Sequence, residues 1–328
     1  MKNLTILVPN GEGNNLSSIV GAYKIFSRAN EYRKKCGKTE VFKIQLAGTS
    51  KKIHFYDGLF SVQPHVSITA IRKTNLIIIP SLNHNYETSV KQNRSIVHWI
   101  KEQHELGAEI ASICTGAFLL AESGLLNGKA CSTHWSAADD FRNRFPEIDV
   151  RLDKLITDEK GIYTNGGAYS FLNLIIYLVE KFYDRPTAIY CSKVFQIEMD
   201  RQSQLSFTIF KGQKQHHDDV VKKAQEYIEK NAHQKISIDR LSSKLAVGRR
   251  NFDRRFIKAT GDTPLEYAQR VRIEAAKRAF ENTPKTVNEV MYEVGYSDAK
   301  AFREVFRRIT GRSPLEYRST YQKQALMN

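Results

Sequence analysis

Cysteine is scarce in this chain, and its placement excludes more than its number does. Four cysteines, Cys36, Cys114, Cys131 and Cys191, are scattered over 328 residues, and no two form a C-x-x-C pair. That pattern argues against a zinc site, so no metal or cofactor is expected. Scattered thiols in a chain of this size suit a reducing cytoplasm, which is the expected location. Long apolar runs are also missing. No stretch approaches the roughly 20 residues that a membrane helix needs, so no membrane partner is expected. The opening run at residues 4–8 is too short for a signal-peptide core and reads as a first strand. Acid is the third deficit: 35 Asp and Glu face 50 Lys and Arg, a net charge of +15. The excess is uneven. From residue 211 onward, 25 basic residues face 15 acidic ones, so +10 of it lies in the smaller C-terminal part. A surplus gathered in this way suits a phosphate-binding module, and the length suits two domains.

That basic part contains a stretch written twice. Residues 252–267 read FDRRFIKATGDTPLEY and residues 302–317 read FREVFRRITGRSPLEY, at a constant offset of 50. Upstream, Ile238, Leu241 and Leu245 match Val287, Val290 and Val294 at an offset of 49. The one-residue change falls where a turn can absorb it. Each copy therefore predicts a short helix, a turn with glycine (Gly248; Gly295) and a second helix that stops at Gly261 or Gly311, with Pro264 or Pro314 following. This is the helix-turn-helix plan. In the second helices, Phe252, Phe256 and Ala259, and likewise Phe302, Phe306 and Ile309, form an apolar stripe. Arg249, Arg250, Asn251, Arg254, Arg255 and Lys258 lie off that stripe in the first copy. Lys300, Arg303, Arg307 and Arg308 do so in the second. Basic faces of this kind suit phosphates and guanine edges, so double-stranded DNA is the expected partner. Residues 264–280 predict one continuous helix, a stiff spacer between the copies.

Residues 237–317 resemble the DNA-binding domain of the AraC/XylS family of bacterial transcription regulators. The resemblance rests on both helix-turn-helix units, the spacer helix and the segment GYSDAKAFREVFRRITGRSPLEYR. Lys300 and Ala301 stand where that family often has a small polar residue and an aromatic. RNA polymerase is a further partner of such a regulator.

The first 200 residues alternate strand and helix patterns. Strands are expected at 4–8, 41–47, 76–79 and 109–113, a hairpin at 155–164, and helices at 16–35, 87–106, 115–123, 133–145, 169–182 and 187–200. This order implies a parallel sheet with helices on both faces. The candidate for chemistry is ASICTGAFLLAESGLLNGKACSTHW at residues 111–135. Cys114 falls between a buried strand and a helix, the place of a nucleophile elbow at the C-terminal edge of a sheet. A helix N-terminus there lowers a thiol pKa, and His134 can return to the same edge as a base.

Residues 4–200 resemble the PfpI-like branch of the class I glutamine amidotransferase-like superfamily, through SICTGAFLLA, AESGLLNGK, THW and the TNGG that begins at Thr164. The resemblance implies a flavodoxin-like fold. Its enzymatic members pair an elbow cysteine and a histidine with an acid from the first helix. Cys114 and His134 match the first two, whereas Ser18, beside Ser17, takes the acidic position, and Glu12 lies in the loop before it. The expected architecture is thus a PfpI-like sensor and dimerisation domain at 1–207, a linker at 208–217 and an AraC-type domain at 218–328. The combined resemblance implies a homodimeric regulator, not an enzyme, whose effector is a small nitrogen-containing metabolite. Ser17, Ser18, Cys114, Thr115 and His134 are the expected effector pocket. The alternative is a cysteine-dependent amidase or glyoxalase-like enzyme tethered to DNA.

Overall fold

The computed structural model describes residues 1–322 apart from 12–13, 83–84 and 215, so Glu12 lies outside the described residues. The chain divides between Gln204 and Leu205 into two compact units.

The first unit is built on a seven-stranded sheet. Its strands are β1 (Lys2–Leu7), β2 (Phe42–Gly48), β3 (Val66–Ser67), β4 (Leu76–Ile79), β5 (Glu109–Ile113), β6 (Ile156–Asp158) and β7 (Ile162–Asn165). They lie in the order β6-β7-β5-β4-β1-β2-β3, all parallel except the β6–β7 hairpin. Strand side chains alternate between faces, and here both faces are apolar. Leu4, Ile6, Leu76, Ile78, Ala111 and Ile113 enter one core, with Phe26, Phe42 and Phe171. Leu7, Ile77, Ile79 and Ile110 enter the other, with Phe118 and Phe141. The helices α1 (Leu16–Lys35), α4 (Phe171–Phe182) and α5 (Arg185–Phe195) cover the first face. The helix Tyr86–Gln92 covers the second, with α2 (Arg94–Glu105), α3 (Ala117–Glu122) and the helix Ala138–Arg144. The flavodoxin-like sandwich expected from the sequence is present.

Local chemistry sets the helix ends that differ from expectation. The helix expected at 87–106 breaks at Asn93. The Asn93 amide group accepts from Asn10 N–H at 2.8 Å and donates to the Asn10 and Ser89 carbonyls. Those bonds tie the helix junction to the loop after β1 and hold Asn93 outside helical geometry, at φ −116° and ψ 23°. The helix expected to run to residue 200 ends at Phe195, because Gln196 takes the left-handed conformation, φ 54°. The region 133–145 holds a short 3₁₀ turn, Trp135–Ala137, before its helix.

The second unit is all helical: α6 (Asp219–Lys230), α7 (Ile238–Lys244), α8 (Arg249–Thr260), α9 (Pro264–Asn282), α10 (Val287–Glu293), α11 (Ala299–Thr310) and α12 (Pro314–Tyr321), after a 3₁₀ turn at Leu205–Phe207. The duplication has a physical form in two separate cores. Phe252, Phe256 and Tyr267 pack with α6 and α7; Phe302, Phe306 and Tyr317 pack with α10 and the end of α9. Buried tyrosines repeat the pattern: Tyr267 Oη donates to Glu229 on α6, and Tyr317 Oη donates to Glu281 on α9. The end of the spacer helix thus plays for the second core the part α6 plays for the first. The second helix of each copy, α8 and α11, stops at a left-handed glycine, Gly261 at φ 75° and Gly311 at φ 73°. Capping boxes at Thr263/Glu266 and Ser313/Glu316, each with a proline in the first turn, start the helices that follow.

The turns of the two copies differ from the sequence expectation. Gly295 is left-handed at φ 83°, but Gly248 is the extended N-cap of α8. The residue matching Gly295 at the offset of 49 is Ala246, and it is left-handed at φ 54°. The start of the expected linker, residues 208–210, is docked on this unit. The Phe210 ring packs edge-on to Tyr267 and beneath the Arg270 guanidinium, and Phe210 N–H donates to Glu274 at 3.1 Å. The Thr208 carbonyl accepts from Lys277, and the Ser206 carbonyl accepts from Tyr321 Oη.

Candidate nucleic-acid interface and elbow site

α8 and α11 are held by the same device. Phe252 and Phe256, and Phe302 and Phe306, are fully buried, so each helix is fixed by one face and presents the other. Of the ten cationic or polar residues expected at the interface, Arg249, Arg250, Asn251, Arg254, Lys258, Lys300, Arg303, Arg307 and Arg308 are exposed and Arg255 is half-buried. They are not equally available. Arg255 makes a bidentate pair with Asp218, both bonds at 2.7 Å, and Asp218 also caps α6. That hydrogen-bonded pairing holds the Asp218 carboxyl below its ordinary range. Arg249 bridges Asp239 at 2.8 Å and Asp253 at 2.9 Å. Arg308 donates to Gln269 at the surface, and Arg254 donates to Asn251 at 3.0 Å. Arg250, Arg254, Lys258, Lys300, Arg303, Arg307 and Arg308 make no ion pair within 4.0 Å among the described residues, and all but Arg308, which is held on Gln269 of α9, are without a bond to another element. These six are the cations that a polyanion meets first.

In the first unit the elbow is present. Cys114 is left-handed, φ 55°, and opens the 3₁₀ turn that leads from β5 into α3. Strain of this kind costs on the order of 1–3 kcal/mol and persists where the surroundings over-determine it. Gly116 permits it: a Cβ there would sit 2.6 Å from the Pro80 carbonyl oxygen. Thr133 Oγ1 donates to the Cys114 carbonyl at 3.0 Å. Around the thiol lies a hydroxyl network. Ser81 Oγ is 2.9 Å from Thr115 Oγ1, and Thr115 Oγ1 both accepts from Leu82 N–H at 3.0 Å and donates to the Leu82 carbonyl at 2.9 Å. Ser81 N–H donates to Ser18 Oγ at 3.2 Å. Ser18, Cys114 and Thr115 therefore meet, as expected, and Ser81 joins them. The sequence signal for Ser81 was its place just past β4, after Pro80, at the end of the strand beside the elbow strand.

The other two expected residues stand differently. Ser17 Oγ lies 3.4 Å from Tyr169 Oη at the surface. His134 is half-exposed, and its Nδ1 accepts from Ser136 N–H and lies 2.7 Å from Ser136 Oγ. The expectation of an acidified thiol is corrected: burial pushes the Cys114 thiol up, against hydrogen bonds from Ser81 and Thr115 that pull it down. Its side chain is only 3% exposed, so desolvation of the thiolate dominates. Beside the elbow, Tyr86 stacks on Phe118 at 4.0 Å between ring centres, in an open depression of about 610 Å³ lined also by Asn85, Glu87, Asp140 and Arg144. Burial, with smaller contributions from Cys114 and Asp140, pushes the Tyr86 phenol up to about 12. No group of His, Cys, Asp and Glu among the described residues is arranged to hold a metal. No described helix is long and apolar enough to cross a membrane.

Comparison with known proteins places both units. A model of the DJ-1/PfpI family matches residues 5–181, and a helix-turn-helix domain model matches residues 241–320. The HTH-type transcriptional regulator GbdR of Pseudomonas aeruginosa is 24% identical over 231 residues, 69% of this chain and 61% of GbdR. The chain therefore spans less than two thirds of that relative's length. The HTH-type transcriptional regulator CdhR of the same species is 23% identical over 267 residues, 81% of this chain and 78% of CdhR. A solved AraC family transcriptional regulator from Pseudomonas putida shares the fold, with a TM-score of 0.51 at 14% identity, covering 60% of this chain and 100% of the other.

Proposed function

Because the chain belongs to the DJ-1/PfpI family and carries a helix-turn-helix domain behind that region, we propose that it is a sequence-specific DNA-binding transcription regulator, controlled by a small molecule held in its first unit. The observation that carries this reading is the duplicated helix. α8 and α11 are each pinned by two buried phenylalanines, and each turns cations outward. α9 joins their two cores as one unbroken helix of 19 residues. A protein built in this way lays both helices in successive major grooves on one face of the duplex, about 34 Å apart. The similarity to HTH-type transcriptional regulators supports the same reading.

The first unit supplies the control. α/β sheets of this kind bind ligands outside the carboxyl ends of their strands, where Ser18, Ser81, Cys114 and Thr115 meet. Catalytic turnover is disfavoured there. A thiol held protonated is a poor nucleophile, and Ser18 cannot orient an imidazolium as a carboxylate does. The effector class, a small nitrogen-containing metabolite, follows from the family resemblance, as does homodimerisation through this unit. RNA polymerase is the partner that would read the bound regulator. The test is selection of bound sequences from random duplex DNA by the full chain, with and without pooled metabolites, followed by footprinting. Two protected major-groove segments per chain, changed in occupancy by a metabolite, are expected. A single segment that survives Arg303→Ala with Arg307→Ala would remove the second helix from the interface. Turnover of an amide or glyoxal substrate, abolished by Cys114→Ser, would establish the enzyme instead.

A further inference from the structure

The two outward helices are copies in fold but not in charge. Arg254 of α8 and Glu304 of α11 occupy the same position in the repeat, 50 residues apart. At about 100° per residue, each lies about 200° round its helix from the first buried phenylalanine and about 160° from the second. Each is therefore at the pole of the outward face, and both are exposed. One turn away on either side, Arg254 has Arg250 and Lys258, an all-cationic row. Glu304 has Lys300 and Arg308, so its row is cation, carboxylate, cation. Glu304 makes no ion pair within 4.0 Å among the described residues, and the Arg308 guanidinium is directed to Gln269.

A bare carboxylate at the centre of a groove-facing helix is repelled by phosphates unless a base edge gives it a hydrogen bond. An ionised carboxylate only accepts. In the major groove, guanine offers two acceptors, and thymine offers an acceptor and a methyl. Adenine offers its N6 amino donor beside the N7 acceptor, which repels a carboxylate. Cytosine offers the N4 amino donor without a neighbouring acceptor of its own. Cytosine is thus the edge that suits Glu304, and guanine is the edge that suits Arg254.

We propose that Glu304 is a specificity-determining residue that makes the half-site under α11 require a cytosine, where the half-site under α8 takes a guanine at the matching position. The site bound by one chain is then not a direct repeat, although the protein's reading motif is one. This inference rests on the regulator reading above.

The experiment is selection from a random duplex pool with the full chain, run in parallel for wild type, Glu304→Ala and Glu304→Arg. Thermal melts verify that these surface variants remain folded. Wild type should return a two-part site with one position in the second part favouring cytosine by roughly tenfold or more, the scale of one base-edge contact. Glu304→Ala should flatten that position alone and leave affinity for unrelated duplex equal or higher. Glu304→Arg should move the preference there to guanine. A cytosine preference that persists in Glu304→Ala would overturn the inference and leave the regulator reading standing. So would a two-part site with no such position. Failure of wild type to select any site would overturn both.

Discussion

At Cys114, burial opposes the thiolate while hydrogen bonds from Ser81 and Thr115 favour it, and burial prevails. Burial likewise pushes Cys131 up to about 12, against a hydrogen bond with Thr164, and Cys191 up to about 11, against the charge of Arg28. A thiol whose pKa is raised stays protonated until the pH climbs through the raised value, so the reactive form is scarce at pH 8. Iodoacetamide at pH 8 should therefore label exposed Cys36 in the native protein, and label Cys114, Cys131 and Cys191 only after denaturation. Mass spectrometry of the digested protein reads the outcome. Native labelling of Cys114 as fast as Cys36 would restore the acidified-thiol picture drawn from the sequence. The sequence located the elbow, since strand, cysteine and helix follow one another directly. It did not reveal the sign of the pKa shift. A helix N-terminus is written in local sequence, whereas burial of the thiol comes from segments distant in sequence that only the folded sheet edge assembles.

The helix-turn-helix units show how far a repeat can be read from letters. Both cores, both glycine stops and the spacer helix follow from apolar spacing and from the TG and PLEY signals. The turn does not, because conformation and composition part company there. The left-handed position is Gly295 in one copy and Ala246 in the other, while Gly248 takes an extended cap that any residue could adopt. A Cβ on Gly295 would meet the His233 carbonyl oxygen at 2.7 Å, so glycine is needed for space as well as for φ. Alanine at φ 54° carries a left-handed penalty of about 1–2 kcal/mol, partly offset by the greater unfolded freedom of glycine. Ala246→Gly should thus stabilise the second unit by about 0.5–1 kcal/mol in urea unfolding of the full chain. A loss of stability would mean that Ala246 makes a contact that outweighs its strain.

The segment 208–217 was legible only as polar and weakly patterned, because what fixes its first residues, 208–210, is distant in sequence. The Lys277–Glu274 pair, 2.8 Å apart with side chains 4% and 11% exposed, holds the Thr208 carbonyl with its ammonium and the Phe210 N–H with its carboxylate. Removing Lys277 leaves the buried Glu274 carboxylate with only the long 3.9 Å ion pair to Arg278 among the described residues, at about 3 kcal/mol. Lys277→Ala should show that loss in urea unfolding and expose the 208–210 amides to hydrogen exchange. A cost under about 1 kcal/mol would show that the pair does not anchor the segment.

For the whole molecule, the location of the charge matters more than its total. The net +15 includes many cations that the fold already uses. Among the ten expected at the interface, Arg249 and Arg255 are tied to Asp239, Asp253 and Asp218. Seven others carry no ion pair within 4.0 Å among the described residues; with the Arg308 guanidinium held on Gln269, six remain. Counterion release on binding duplex DNA scales with phosphates neutralised, at a slope of about −0.9 in log K against log salt for each. If all six met phosphates, the slope per chain would approach about −5. Each one spent on a base edge, as proposed for Arg254, reduces that figure by about one. Arg303→Ala with Arg307→Ala should flatten the measured slope by about 2. Arg249→Ala with Arg255→Ala should leave the slope unchanged, because guanidiniums engaged by carboxylates release no DNA counterions unless those pairs first break. Fluorescence anisotropy with a selected duplex across a salt series distinguishes the two pairs. Equal flattening by both would mean that the intramolecular pairs open on binding, and that the full cationic face read from the sequence meets the DNA.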